Sequence, residues 1–114
     1  MNSASMAEWI IRSLPADPED PARALRFFEL VRVSGSNSEA RDIVRSLYRL
    51  AAAGTWDLNS LADLNMLVYG LRENPALIED VSADVECILA RYGVRGEISG
   101  WDYIRRRAET ARAA

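Results

Sequence analysis

The sequence predicts an all-α protein, a compact single-domain bundle of about five to six helices that spans residues 1–114. Apolar residues recur at spacings of three and four along the whole chain, and no segment alternates as a strand does. Proline, glycine and capping residues divide the chain into segments of helical length. A chain of 114 residues is long enough to build one hydrophobic core and too short for two domains.

The first two predicted helices are separated by a connector rich in proline and acidic residues. The first helix covers residues 5–14. Asp20 is a good N-cap for the second helix, and Pro21 suits its first position because proline has no amide hydrogen to leave unpaired there. This second helix ends near Ser34 and Gly35.

The third and fourth predicted helices carry the strongest amphipathic and apolar patterns, respectively. Ser36 and Glu39 have the spacing of a capping box, which predicts a third helix extending to about Ala53. Asp57 is predicted to open a fourth helix that is apolar nearly all round and is therefore expected to be the most buried. Gly70 within it predicts a close helix crossing.

The last two predicted helices flank a short link. Asn74 and Pro75 are predicted to cap and start a fifth helix, which Gly93 ends. Residues 94–98 form an extended link, and a final helix covers residues 99–112.

The composition argues against an enzyme and against a metal or cofactor site. The chain has no histidine, the usual group for proton transfer and metal binding near neutral pH. Its single cysteine, Cys87, lies among apolar and acidic residues and is expected to be an inert packing residue. One thiol and no signal-like N-terminus predict a cytoplasmic protein, and no apolar segment approaches the roughly 20 residues that cross a bilayer.

The basic residues are all arginine, and their distribution along the chain is uneven. The 14 arginines and 17 acidic residues give a net charge of −3, with −6 up to residue 90 and +3 from Arg91 onward. Codon usage in a GC-rich genome is the expected explanation for the absence of lysine. Arginine nevertheless suits phosphate and carboxylate, because its planar guanidinium makes paired hydrogen bonds. The overall acidity argues against a free-standing DNA-binding protein.

A stripe of three arginines on the third helix is the most informative feature. Arg41, Arg45 and Arg49 are spaced by four and so share one helix face, opposite the apolar face. Only Asp42 is placed to pair with one of them, Arg45, and like charges at this spacing repel. The stripe therefore predicts an anionic partner, with solvated surface arginines as the alternative.

Two further groups of charged residues are candidate contact surfaces. Additional contacts to nucleic-acid phosphates are predicted for the following arginines: Arg23, Arg26, Arg105, Arg106 and Arg107. A basic surface extended by Arg91 and Arg95 is also consistent with the sequence. Contacts to a protein partner are predicted for three acids of the fifth helix and one tryptophan: Glu79, Asp80, Asp84 and Trp101.

The last third of the chain combines an apolar helix ending at Gly93, a short hydrophobic link, Trp101 and a terminal helix. This order resembles the small subunit of multi-subunit CRISPR effector complexes. The resemblance implies a non-enzymatic subunit that packs as several copies along a guide-RNA backbone and contacts RNA or the displaced strand. The chain departs from that family in its net negative charge and its strongly acidic fifth helix.

Two functional hypotheses follow. The first is a structural subunit of a ribonucleoprotein that contacts backbone phosphates of RNA or single-stranded nucleic acid through the arginine stripe, beside other subunits and copies of itself. The alternative is a small helical regulatory or adaptor protein, of the kind that phages and plasmids encode, that binds a protein through its acidic helix. Neither hypothesis requires a cofactor, a metal, a small-molecule substrate or a membrane.

Overall fold

The computed structural model describes residues 2–58, 61–92 and 100–113, which form six α-helices. The helices are α1 (Ser3–Ser13), α2 (Pro21–Val33), α3 (Ser38–Ala52), α4 (Leu61–Gly70), α5 (Ile78–Tyr92) and α6 (Gly100–Ala113). Two 3₁₀ turns, Leu71–Glu73 and Pro75–Leu77, connect α4 to α5. These ranges contain no strand, and the predicted all-α bundle is confirmed. No helix within them has the length and apolar character needed to span a membrane.

The start of α2 follows the predicted capping residue, whereas that of α3 differs from prediction. Asp20 caps α2 as expected, since its carboxylate accepts a backbone amide hydrogen bond. At α3 the N-cap is Asn37, whose Oδ1 accepts from the amide of Ala40 at 3.0 Å. The predicted capping box of Ser36 with Glu39 is therefore wrong: the cap lies one residue later, and its side chain accepts from the amide of Ala40 instead of that of Glu39.

Helix α4 is the most buried helix of the bundle, as expected from its apolar sequence. Six of its ten residues are buried. It begins at Leu61 rather than at the predicted Asp57, which lies outside any helix. A Cβ added to Gly70 would lie 2.6 Å from the Phe27 ring, so the predicted close crossing of α4 with α2 is confirmed. Gly70 also ends α4 instead of lying inside it.

The start of α5 also differs from prediction. Pro75 opens a 3₁₀ turn, and the α-helix begins only at Ile78. Asn74 makes no side-chain cap; its buried amide instead donates from Nδ2 to Ser34 Oγ at 3.0 Å. This hydrogen bond pairs the buried amide with a hydroxyl that itself donates to the Val31 carbonyl oxygen at 2.6 Å. The predicted stop at Gly93 and the link at 94–98 lie outside the described residues.

Buried residues from all six helices form one hydrophobic core. Helix α3 packs against α1, α2 and α5, while α4 packs against α2, α5 and α6. In the core, the Phe27 ring centroid lies 6.1 Å from those of Tyr48 and Trp56. Burial raises the pKa of Tyr48, whose hydroxyl donates to the carbonyl of Leu67.

The alignment of α3 with α5 determines where the predicted charged surfaces lie. Arg45 contacts Asp80, and Cys87 Sγ lies 3.8 Å from the Ala52 carbonyl oxygen. In each of these contacts the two residues are 35 positions apart in the sequence. A constant offset means that the two helices lie side by side and run in the same direction. Successive turns of α3 therefore face successive turns of α5.

Candidate nucleic-acid interface

The arginine stripe of α3 faces the acidic side of α5. Arg45 donates from Nη2 to Asp80 Oδ2 at 2.7 Å and from Nη1 to Asp42 Oδ1 at 3.3 Å. These bonds leave its side chain 34% exposed and raise the pKa of Arg45, with the hydrogen bond to Asp80 as the main cause. The expectation that Asp42 is the only acidic partner of the stripe is wrong, because the offset of 35 positions brings Asp80 opposite Arg45 as well.

The other two stripe residues differ from each other. Arg49 is exposed, one turn further along α3, and its charge acts on Asp84 of α5. Partial burial raises the pKa of the Asp84 carboxyl, and Arg49 opposes that rise. Arg41 is half-buried and forms no ion pair within the described ranges. Contact of the stripe with nucleic acid stays a prediction. Its support is weaker, because Arg45 is paired with Asp80 and Arg49 acts on Asp84.

The acidic side of α5 is correspondingly engaged. Asp80 and Asp84 face α3, while Glu86 accepts a hydrogen bond at 2.9 Å from the indole Nε1 of Trp101. Glu79 is exposed and is also in contact with another group of the protein. Trp101 is only 2% exposed. Its predicted place at a protein interface is wrong, because α6 packs the indole into the core.

Arg23 is a structural residue rather than a surface cation. Its side chain is 8% exposed, with Nε 2.8 Å from Asp63 Oδ1. Its Nη1 donates to the Pro15 carbonyl oxygen at 2.7 Å, so it ties the α1–α2 connector to α4. The prediction that Arg23 contacts nucleic acid is wrong, since no phosphate reaches this buried position. Arg26 is exposed, and its contact with nucleic acid stays a prediction.

Arg91 has a role that local sequence patterns did not reveal. Its Nη1 donates to the Ala51 carbonyl oxygen at 3.2 Å, and its Nη2 donates to that of Ala52. The guanidinium thus binds the last carbonyls of α3, which lack the usual i+4 amide partner at a helix end; the Ala51 carbonyl also accepts from the Gly54 amide at 3.1 Å. Gly54, at φ 83°, makes the turn beside it. The partners are about 40 positions apart, so no local signal could identify them. Arg95 lies outside the described residues.

The three consecutive arginines of α6 have different environments. Arg105 is turned inward, 3.4 Å from Glu86 and 3.3 Å from Asp102. Arg106 is exposed and has no ion pair in the described part of the chain. Arg107 is exposed, with its guanidinium carbon 5.8 Å from the centroid of the Tyr103 ring. Two of the three predicted contact residues therefore present their charge to solvent.

A groove of about 260 Å³ lies between α6 and the two 3₁₀ turns. Its lining consists of Leu71, Arg72, Pro75, Ile78, Tyr103, Ile104, Arg107 and Ala108. The floor is apolar, and two guanidiniums and one phenol stand at the rim. No carboxylate of the described residues lines it. Sequence reasoning missed Arg72 and Tyr103, because Arg72 is isolated in the sequence and meets α6 only through the fold.

The described residues contain no group of three acidic or cysteine side chains arranged to hold a metal ion. Cys87 is exposed, so its predicted packing role is wrong. It lies level with Ala52, the last residue of α3, and beyond that point α3 no longer covers α5.

One basic surface whose guanidiniums form no ion pair among the described residues is thus the rim of the α6 groove together with Arg106. We call these residues, Arg72, Tyr103, Arg106 and Arg107, the α6 surface. Comparison of the chain with protein-family models, with curated proteins and with solved structures finds no match.

Proposed function

We propose that this chain is a non-enzymatic helical subunit that binds the phosphate backbone of RNA or single-stranded DNA through the α6 surface. The observation that carries the proposal is that Arg72 and Arg107 line one groove and Arg106 adjoins Arg107 on α6. All three are exposed, and none forms an ion pair among the described residues. Guanidinium groups bind phosphate in a paired geometry, and contacts to the backbone need no particular base.

The net charge of −3 does not exclude such binding. At about 0.1 M salt, exposed charges more than about 10 Å apart are largely screened from each other. A phosphate at the α6 surface therefore responds to the nearby guanidiniums more than to the distant acids. The same screening predicts strong sensitivity to salt.

The resemblance to the small subunits of CRISPR effector complexes supports a place within a ribonucleoprotein and packing as several copies along a guide RNA. Membership of that family stays a prediction. An adaptor role through the acidic side of α5 has less support, because Asp80 is bound to Arg45 and Glu86 to Trp101.

Two triple variants with the same loss of charge test the proposal. One carries Arg72→Gln, Arg106→Gln and Arg107→Gln, and the matched control carries Arg41→Gln, Arg45→Gln and Arg49→Gln. Affinity for a fluorescently labelled single-stranded RNA is measured by anisotropy over a series of salt concentrations. For the native protein, three phosphate contacts predict a slope of log K against log salt of about −2.

We expect the α6 variant to lose binding, while the α3 variant keeps it and shows a nearly unchanged slope. Circular dichroism verifies that both variants remain helical. Loss of binding in the α3 variant alone would contradict the proposed location and favour the stripe. Absence of RNA binding by the native protein, with a protein partner retained at high salt, would contradict the function itself.

A further inference from the structure

We infer that the α6 groove accepts one unstacked base of a single-stranded nucleic acid, with Tyr103 as the stacking residue and Arg72 and Arg107 beside the adjoining phosphates. This inference rests on the proposed function and names the part of the ligand that the groove takes. It distinguishes a base-contacting site from a surface that touches only phosphates.

The size and lining of the groove fit a flat ring. Its volume of about 260 Å³ is slightly below the roughly 300 Å³ at which pockets for drug-sized molecules begin. The floor is formed by Leu71, Ile78 and Ile104, all of them buried apolar residues. A single base is thin, has two largely apolar faces and carries its polar groups at the edge, so it can cover such a floor while its edge stays in water.

Tyr103 is an exposed aromatic residue placed beside this floor. It is 59% exposed, the largest exposure among the described large aromatic residues that lie at the surface. Its hydroxyl accepts a hydrogen bond from Arg107 Nη1 at 3.4 Å, and the guanidinium lies near the ring. The contact orients the phenol, so that less freedom is lost when a base stacks on it. Stacking on aromatic residues is the usual way in which proteins hold single-stranded bases.

The charge at the rim selects among possible occupants. Arg72 and Arg107 line the groove and no acidic residue of the described chain does so, which favours an occupant that joins an apolar ring to negative charge. A nucleotide unit of a single strand has both. Bases of a duplex are stacked inside the helix and cannot enter, so the groove predicts a preference for single strands.

The experiment compares three labelled probes with equal numbers of phosphates: a single-stranded oligothymidylate, an oligomer of abasic sites and a duplex. The native protein is expected to bind oligothymidylate about ten-fold more tightly than the abasic oligomer, within the five- to 150-fold range that stacking of one base supplies. Tyr103→Ala is expected to remove this preference, while Tyr103→Trp keeps it. The matched control is Trp9→Ala, which removes an exposed aromatic residue from α1 and is expected to keep the preference.

The outcomes separate this inference from the proposed function. Equal, salt-sensitive affinity for oligothymidylate and the abasic oligomer would overturn the base site and leave phosphate binding intact. A folded Tyr103→Ala variant that keeps the preference would also overturn it, as would tighter binding of a tyrosine-phosphorylated peptide than of oligothymidylate. Failure of all three nucleic-acid probes to bind would overturn the proposed function itself.

Discussion

Helices α3 and α6 each carry three closely spaced arginines, and one member of each group is ion-paired to an acid of α5, but the groups differ in the acids near their other members. On α3, Arg45 is bound to Asp80 and the charge of Arg49 acts on Asp84, so two members of the stripe are opposed within the molecule, while Arg41 forms no ion pair in the described ranges. On α6, Arg106 and Arg107 project to solvent with no acid paired to them in the described residues. Regular spacing of arginines on one helix therefore does not show that they are free to bind a partner, because acids on the neighbouring helix can neutralise them.

The largest expected effect is a loss of stability on breaking the buried ion pair of Arg23 with Asp63, in which an arginine is fully neutralised inside the protein. Asp63→Ala leaves a buried guanidinium without its counter-charge and is expected to lower the free energy of unfolding by about 3–5 kcal/mol. Urea denaturation measures the change.

The double variant Arg23→Met, Asp63→Ala is the control for this prediction. It should be more stable than Asp63→Ala, because no unpaired charge remains buried. A double variant less stable than both single variants would show that packing rather than charge explains the loss.

A smaller effect is expected where the stripe meets α5. A double-mutant cycle with Arg45→Ala and Asp80→Ala should give a coupling energy of about 0.2–1 kcal/mol, because both side chains are about one-third exposed. RNA affinity should not change in Arg45→Ala. A clear loss of RNA affinity would place this arginine in contact with nucleic acid after all and would erase the contrast between the two helices.

The smallest effect is a change in the titration of Asp84. Removing the charge of Arg49 by Arg49→Gln should raise the pKa of the Asp84 carboxyl further, because only the burial that disfavours its charged form remains. A raised pKa means that the folded protein binds the proton more tightly than the unfolded chain. The Asp84 carboxyl therefore contributes stability at low pH, and this contribution is lost as pH rises from the ordinary pKa of the group through its folded-state pKa.

Carbon-detected NMR titration of the Asp84 carboxyl measures the shift. Arg41→Gln, about two turns earlier on α3, is the matched control and should leave the Asp84 titration unchanged. An equal shift in both variants would mean that the general charge of α3 acts on Asp84, rather than the residue opposite it.

The elements that sequence reasoning predicts well are those whose cause is local. The cap at Asp20 and the class of every helix depend on residues within one or two turns. The close crossing at Gly70 is also confirmed, since a glycine in an apolar helix indicates contact with a neighbouring element. The wrong start of α3 has a local cause too, because Ser36 and Asn37 are adjacent residues that can both cap a helix, and Asn37 is the one that does so.

The candidate site is predicted less well because it is assembled from distant residues. The sequence places Arg106 and Arg107 in a basic cluster, but nothing in it points to Arg72 or Tyr103. Arg72 reaches the groove only because the 3₁₀ turns lie against α6. The burial of Arg23 and Trp101 likewise depends on partners 40 and 15 positions away.

Hydrophobic periodicity and capping residues are enough to predict a helical bundle and to locate its charged stripes, because helix formation depends on neighbours a few positions apart. Which arginines stay unpaired is decided by the packing of α3 on α5 and of the 3₁₀ turns on α6. Ion pairing and burial depend on side chains that meet in space, and an offset of 35 positions between two helices leaves no trace in the pattern of either one.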